Sequence, residues 1–135
     1  MTAAHNAAMQ PLLLVGLGGA AGAIARYLVG VQAGRSLGSG LPWGTLIANG
    51  LGGLLMGVLA GWLAYRGGAD QERWRLLLGV GVLGGFTTFS AYSLEVALMI
   101  QRREYATAAA YSLGSVVLAV AALFLGLLLM RRALA

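Results

Sequence analysis

The polar side chains in the apolar part of this sequence are chiefly hydroxyls and an amide, which donate a hydrogen bond without carrying charge: Thr45, Asn49, Thr87, Thr88, Ser90, Ser93, Tyr111 and Ser115. Beside them stand three rings, Phe86, Phe89 and Tyr92. An aromatic ring is positive at its edge, so rings turned edge-on to a cavity suit an anion better than a cation. Neutral donors and ring edges together would serve a solute that is small, anionic and a strong acceptor. No ring of basic residues lies at mid-span, which argues against a large or weakly hydrated anion held by charge.

Other chemistry has little to work with. The chain has no cysteine, which removes disulfides, thiol nucleophiles and thiolate metal sites. It has four acids and one histidine, His5, which reads as a solvated residue of a polar N-terminal tail. Nucleophile, base and metal-ligand clusters are therefore missing, and the chain reads as no enzyme.

The elements that must carry the donors are membrane spans. Of 135 residues, 59 % are hydrophobic and 10 % charged, with mean hydropathy +0.82, far outside the soluble range. Four apolar segments, 12–31, 43–65, 76–100 and 106–130, each come near the roughly 20 residues that cross a bilayer. They use almost the whole chain, so we expect one four-span domain over 1–135, in the inner or plasma membrane, and no separate soluble unit. The N-terminus lacks the basic region and cleavage site of a secretory signal, so the first segment is expected to be retained. Residues Gly16 to Ala21 match a dinucleotide-binding GxGxxA pattern, but the acid needed about 20 residues later is absent. Small residues there instead suit close helix packing.

In the second span Thr45, Asn49, Gly53, Gly57 and Gly61 recur every four residues, predicting a helix face that is flat at one end and polar at the other. Asn49 can face a pathway or simply tie two helices together. The third span holds Gly84-Gly85-Phe86-Thr87-Thr88-Phe89-Ser90, where paired glycines, β-branched residues and hydroxyls weaken helical backbone. Backbone freed from its ladder at membrane depth survives only where protein, water or an ion covers it, so we expect a broken helix at a functional site. The bland reading is a continuous helix whose hydroxyls bond back to the preceding turn. Glu95 is the one acid inside the four segments, and Arg26 must snorkel, pair or face water. On the fourth span Tyr111, Ser115 and Ala119 share a face, with Ser112 beside them.

All nine basic residues are arginines. They suit anchoring at lipid headgroups better than binding of nucleic acid. If the spans alternate, Arg66, Arg73, Arg75, Arg131 and Arg132 lie on the side of the termini, and Arg35, Arg102 and Arg103 opposite, with Arg26 near a span end. So weak a bias permits insertion in both orientations.

Gly44-Thr45-Leu46-Ile47-Ala48-Asn49 with its glycine stripe, the Gly84-to-Ser90 block continued by Ser93 and Glu95, and Gly22-Ala23-x-x-Arg26-Tyr27 together resemble the fluoride channel family, Fluc or CrcB. The resemblance covers all four spans in order. It implies an all-α membrane protein of four transmembrane helices with a broken third helix, assembled as an antiparallel dual-topology homodimer. It implies two fluoride pores along the dimer interface, which Asn49, Phe89, Tyr92, Thr45, Thr88, Tyr111 and Ser115 would line. It implies a structural, non-transported Na+ held by the backbone carbonyls of Gly84 and Thr87, and vestibule or structural roles for Arg26 and Glu95. Tyr92 departs from the phenylalanine usual in such families, which adds a hydroxyl that can reach the ion or narrow the path; Ala119 stands where another hydroxyl is often found.

Two other readings compete. A small proton-coupled multidrug exporter also has four short spans, but it needs an acid deep in its first span, where this chain has Arg26. An accessory subunit, its glycines serving only to pack a larger complex, would show no ion flux alone.

Overall fold

The computed structural model describes residues 2–135 and contains four helical crossings, each long and apolar enough to span a bilayer. Helix α1 is Thr2–Leu37 and α2 is Trp43–Arg66. A 3-10 turn, Gly68–Asp70, leads into the third crossing, built from α3 (Gln71–Trp74), wide π-type turns over Arg75–Leu83, α4 (Gly84–Phe86) and α5 (Phe89–Gln101). Helix α6, Tyr105–Leu134, closes the bundle. The expected N-terminal tail is instead helical from Thr2, because Ala3, Ala4, Ala7 and Ala8 favour helix strongly enough to extend the span beyond Pro11. At its other end α1 stops where Gly38 adopts φ 79°, the left-handed conformation that commonly ends helices.

Packing follows the small residues. Helix α1 lies along the third crossing, and α2 lies along α6. A Cβ at Gly22 would collide with the carbonyl of Val82, so only glycine lets α1 approach the third crossing so closely. On α2, a side chain at Gly53 would meet the Ala119 carbonyl, one at Gly57 the Leu123 carbonyl, and one at Gly61 the Met130 side chain. The four-residue spacing exceeds the 3.6-residue turn, so the stripe drifts by about 40° per step. Its glycine end therefore faces α6, while Thr45 and Asn49 have rotated toward the third crossing.

Gly57→Val would force Cβ and its methyls against α6 backbone that has no room to move, so the thermal unfolding free energy should fall by about 1–3 kcal/mol. Gly16→Ala, with nothing within 4 Å of the added atom, should cost no stability. Melting of the purified protein distinguishes the two; equal melting would remove the packing role of the stripe.

The third crossing is broken, as expected, but two residues after the glycine pair. Gly84–Phe86 remain helical, and the extended residues are Thr87 (φ −85°, ψ 158°) and Thr88 (φ −151°, ψ 122°). Both are β-branched and lose little by leaving the helix. Thr88 then starts α5 as its N-cap, its Oγ1 accepting the Ala91 N–H at 3.1 Å.

In the connection after α2, Arg73 lies 3.6 Å from Asp70 and Arg75 2.7 Å from Glu72. These exposed pairs contribute little to stability.

Candidate functional site

The break is held by one side chain from α2. Asn49 Oδ1 accepts the Thr88 N–H at 2.8 Å, and Asn49 Nδ2 donates to the Thr88 carbonyl at 3.0 Å. An extended residue turns its own N–H and C=O to the same side, so one amide can pair with both as a neighbouring strand would. Asn49 thus ties α2 to the third crossing, and one Nδ2 hydrogen remains for another acceptor.

This pairing redistributes the backbone bonds around the break. In an unbroken helix the Thr88 N–H would reach the Gly84 carbonyl and the Ala91 N–H the Thr87 carbonyl. Asn49 takes the first and the Thr88 hydroxyl takes the second. Between them, Arg26 Nε donates to the Gly85 carbonyl at 3.1 Å, which ties α1 to the third crossing.

Asn49, Thr88, Phe89, Tyr92 and Ser115 line one cavity of about 350 Å³, with no charged residue in its wall. Phe89 is 78 % exposed at its edge. Its ring lies 5.4 Å from that of Tyr92, which lies 5.8 Å from that of Tyr111. The Tyr92 hydroxyl is occupied: it donates to the Ser112 carbonyl at 3.1 Å. The Ser115 hydroxyl is buried and has no hydrogen-bond partner among the described residues. A buried donor left open calls for a ligand or water to complete it.

Tyr92→Phe removes one neutral hydrogen bond between α5 and α6 while keeping the ring. The expected loss is about 1 kcal/mol of stability, read by thermal melting, with the ring face of the cavity unchanged. An undiminished stability would show that the Ser112 bond contributes nothing.

The remaining predicted pore residues form a second group. Thr45 Oγ1 donates to Glu95 Oε1 and the Tyr111 hydroxyl to Glu95 Oε2, both at 2.6 Å. One carboxyl group therefore joins α2, α5 and α6. Thr45 does not line the Asn49 cavity; with Arg26 and Gly44 it borders a different one. Tyr111 and Ser115 border a third, so Ser115 has a cavity on either side. Three other hydroxyls bond back within their own crossings: Thr87 to the Leu83 carbonyl, Ser93 to that of Phe89, and Ser112 to that of Ala109.

Sequence reasoning missed Gly52, Met56 and Leu123 in the main cavity, and the Ser112 and Gly85 carbonyls as acceptors. Gly52 left a signal in its pairing with Gly53. A Cβ at Gly52 would overlap the Thr87 methyl, while one at Gly53 would meet Ala119, so adjacent glycines seat two different neighbours. Met56 and Leu123 are ordinary apolar residues and left none.

Among the described residues no group of three or more His, Asp or Glu side chains lies close enough to hold a metal ion.

Comparison with known proteins places these residues in a wider set. Residues 13–127 match the family model described as CrcB-like protein, Camphor Resistance (CrcB). A protein of Phenylobacterium zucineum strain HLK1 is 77% identical over 94% of this chain and 100% of its own length. One of Caulobacter sp. strain K31 is 67% identical over 92% of this chain and 97% of its own, and one of Caulobacter vibrioides strain NA1000 / CB15N is 61% identical over 94% and 100%. All three are named fluoride-specific ion channel FluC.

Proposed function

The chain belongs to the CrcB family, a family of ion channels and not of enzymes, and from that premise we infer that it is a multi-pass membrane channel selective for fluoride. The observation that carries this reading is the Asn49 cavity. It brings a spare amide hydrogen, an unpartnered buried hydroxyl and two aromatic rings to one uncharged space. Fluoride is small and strongly hydrated. To pass, it must exchange water for donors that are strong enough to admit it and too weak to hold it.

Flow is passive and follows the electrochemical gradient. With the cell interior negative, each 100 mV favours outward movement of one negative charge by about 2.3 kcal/mol, so the channel expels cytoplasmic fluoride. A four-span proton-coupled exporter is disfavoured, because α1 offers Arg26 and no acid.

The functional unit is an antiparallel homodimer with two pores. Its support is the near-even distribution of arginines and the exposure of Phe89, a large ring beside a polar break that a second copy would cover.

A structural sodium ion fits the break. Sodium is a hard cation that takes oxygen ligands, and the carbonyls of Gly84 and Thr87 have each lost the helical N–H that would have occupied them. These two carbonyls would hold it, the second copy supplying the same pair; when bound, it would offset the negative ends of those carbonyl dipoles and fix the break.

The test is efflux from liposomes containing only this protein. Fluoride should leave rapidly and chloride should not. Equal rates for the two halides would overturn selectivity, and no flux of either would favour an accessory subunit.

A further inference from the structure

We propose that Asn49 and Thr88 are positioning residues for the cation site, each diverting one N–H and so leaving one carbonyl free for the ion. The inference rests on the sodium reading above. The correspondence is one to one: Asn49 Oδ1 takes the Thr88 N–H that would otherwise close on Gly84, and Thr88 Oγ1 takes the Ala91 N–H that would otherwise close on Thr87. Arg26 occupies the Gly85 carbonyl, and Gly84 and Thr87 are the two whose former N–H donors these side chains engage.

A carbonyl that already accepts an in-line N–H is a poorer cation ligand, because its exposed lone pair is partly committed. The side-chain acceptors therefore act through the backbone, without touching the ion. Asn49 does this with its oxygen, while its nitrogen is bonded to the Thr88 carbonyl with one hydrogen spare, and the residue lines the cavity. One amide thus serves the structural cation through its acceptor and the anion path through its donor.

The two halves can be separated. In Asn49→Asp the acceptor for the Thr88 N–H survives and the donor is lost; in Asn49→Leu both are lost at nearly constant volume. Thr88→Ser keeps the capping oxygen and Thr88→Val removes it. The measurement is the melting temperature of the purified full-length protein as sodium replaces N-methylglucamine at constant ionic strength, fitted to an apparent sodium affinity.

Wild type, Asn49→Asp and Thr88→Ser should show sodium-dependent stabilisation at similar sodium concentrations. Asn49→Leu and Thr88→Val should need at least about tenfold more sodium, the change expected from about one hydrogen bond recaptured by the carbonyl. A general loss of packing would lower every melting temperature without moving the sodium midpoint. Wild-type midpoints in both Asn49→Leu and Thr88→Val overturn the inference and leave the sodium reading intact. Absence of any sodium-specific effect in wild type overturns both. Should Asn49→Leu not fold, Asn49→Ala removes the same acceptor and is read the same way.

Discussion

Asn49→Asp should lower fluoride flux from liposomes by at least about 100-fold. The substitution converts the donor in the cavity wall to an acceptor and places a negative charge in the path of an anion. At 4 Å and an effective dielectric of about 20, repulsion between two unit charges is about 4 kcal/mol, and about 1.4 kcal/mol already slows passage tenfold. The new oxygen would also oppose the Thr88 carbonyl, to which Nδ2 now donates. Collapse of the break is a separate cause of lost flux, and sodium-dependent melting tells them apart, since the acceptor for the Thr88 N–H is retained. The measurement is fluoride efflux followed with an ion-selective electrode. Flux within threefold of wild type would exclude Asn49 as a donor to the ion.

The second large effect is expected at Glu95. Its two oxygens receive hydroxyls from Thr45 on α2 and Tyr111 on α6, while the residue itself sits on α5, so Glu95→Ala disconnects three helices at once. A hydrogen bond to a carboxylate contributes about 1.5–3 kcal/mol, and the two donors would be left without their acceptor in a partly buried site. The unfolding free energy should fall by about 3 kcal/mol or more, and flux should fall with it as α5 carries Phe89 and Tyr92 away from α2. Thr45→Val and Tyr111→Phe should each cost about half as much, with a coupling energy above about 1 kcal/mol in the cycle of Glu95→Ala with Tyr111→Phe. Measured in denaturant titrations of the purified protein, a loss below about 0.5 kcal/mol for Glu95→Ala would show that the carboxyl group has no structural role.

Much of this site could be read from residue types. A run of paired glycines and threonines inside an apolar segment is a poor continuous helix on local grounds alone, and the break was expected for that reason. Its exact seat was not: the glycine pair stays helical where α1 packs against Gly85, a Cβ there meeting the Gly19 backbone, while Thr87 and Thr88 leave the helix because Asn49 and the N-cap bond stabilise their extended form. The hydroxyls behaved unequally. Thr87, Ser93 and Ser112 satisfy themselves within their own crossings, Thr45 and Tyr111 go to Glu95, and Ser115 is the buried one left open among the described residues. Nothing in a serine or threonine codon distinguishes these fates, since back-bonding and cross-helix bonding need the same group.

From sequence alone came the properties that depend on composition and local spacing: four crossings, a weak point in the third, glycine surfaces for close contact, and a donor set that suits a small anion and excludes thiol or histidine chemistry. Tertiary structure decided which donor meets which acceptor. The Asn49 amide finds Thr88 across 39 residues, Thr45 finds Glu95 across 50, and Arg26 finds Gly85 across 59. Those meetings are set by the rotation of each helix about its axis, which follows from where backbones can approach, and a drift of about 40° per four-residue step is enough to send neighbouring members of one stripe to different partners.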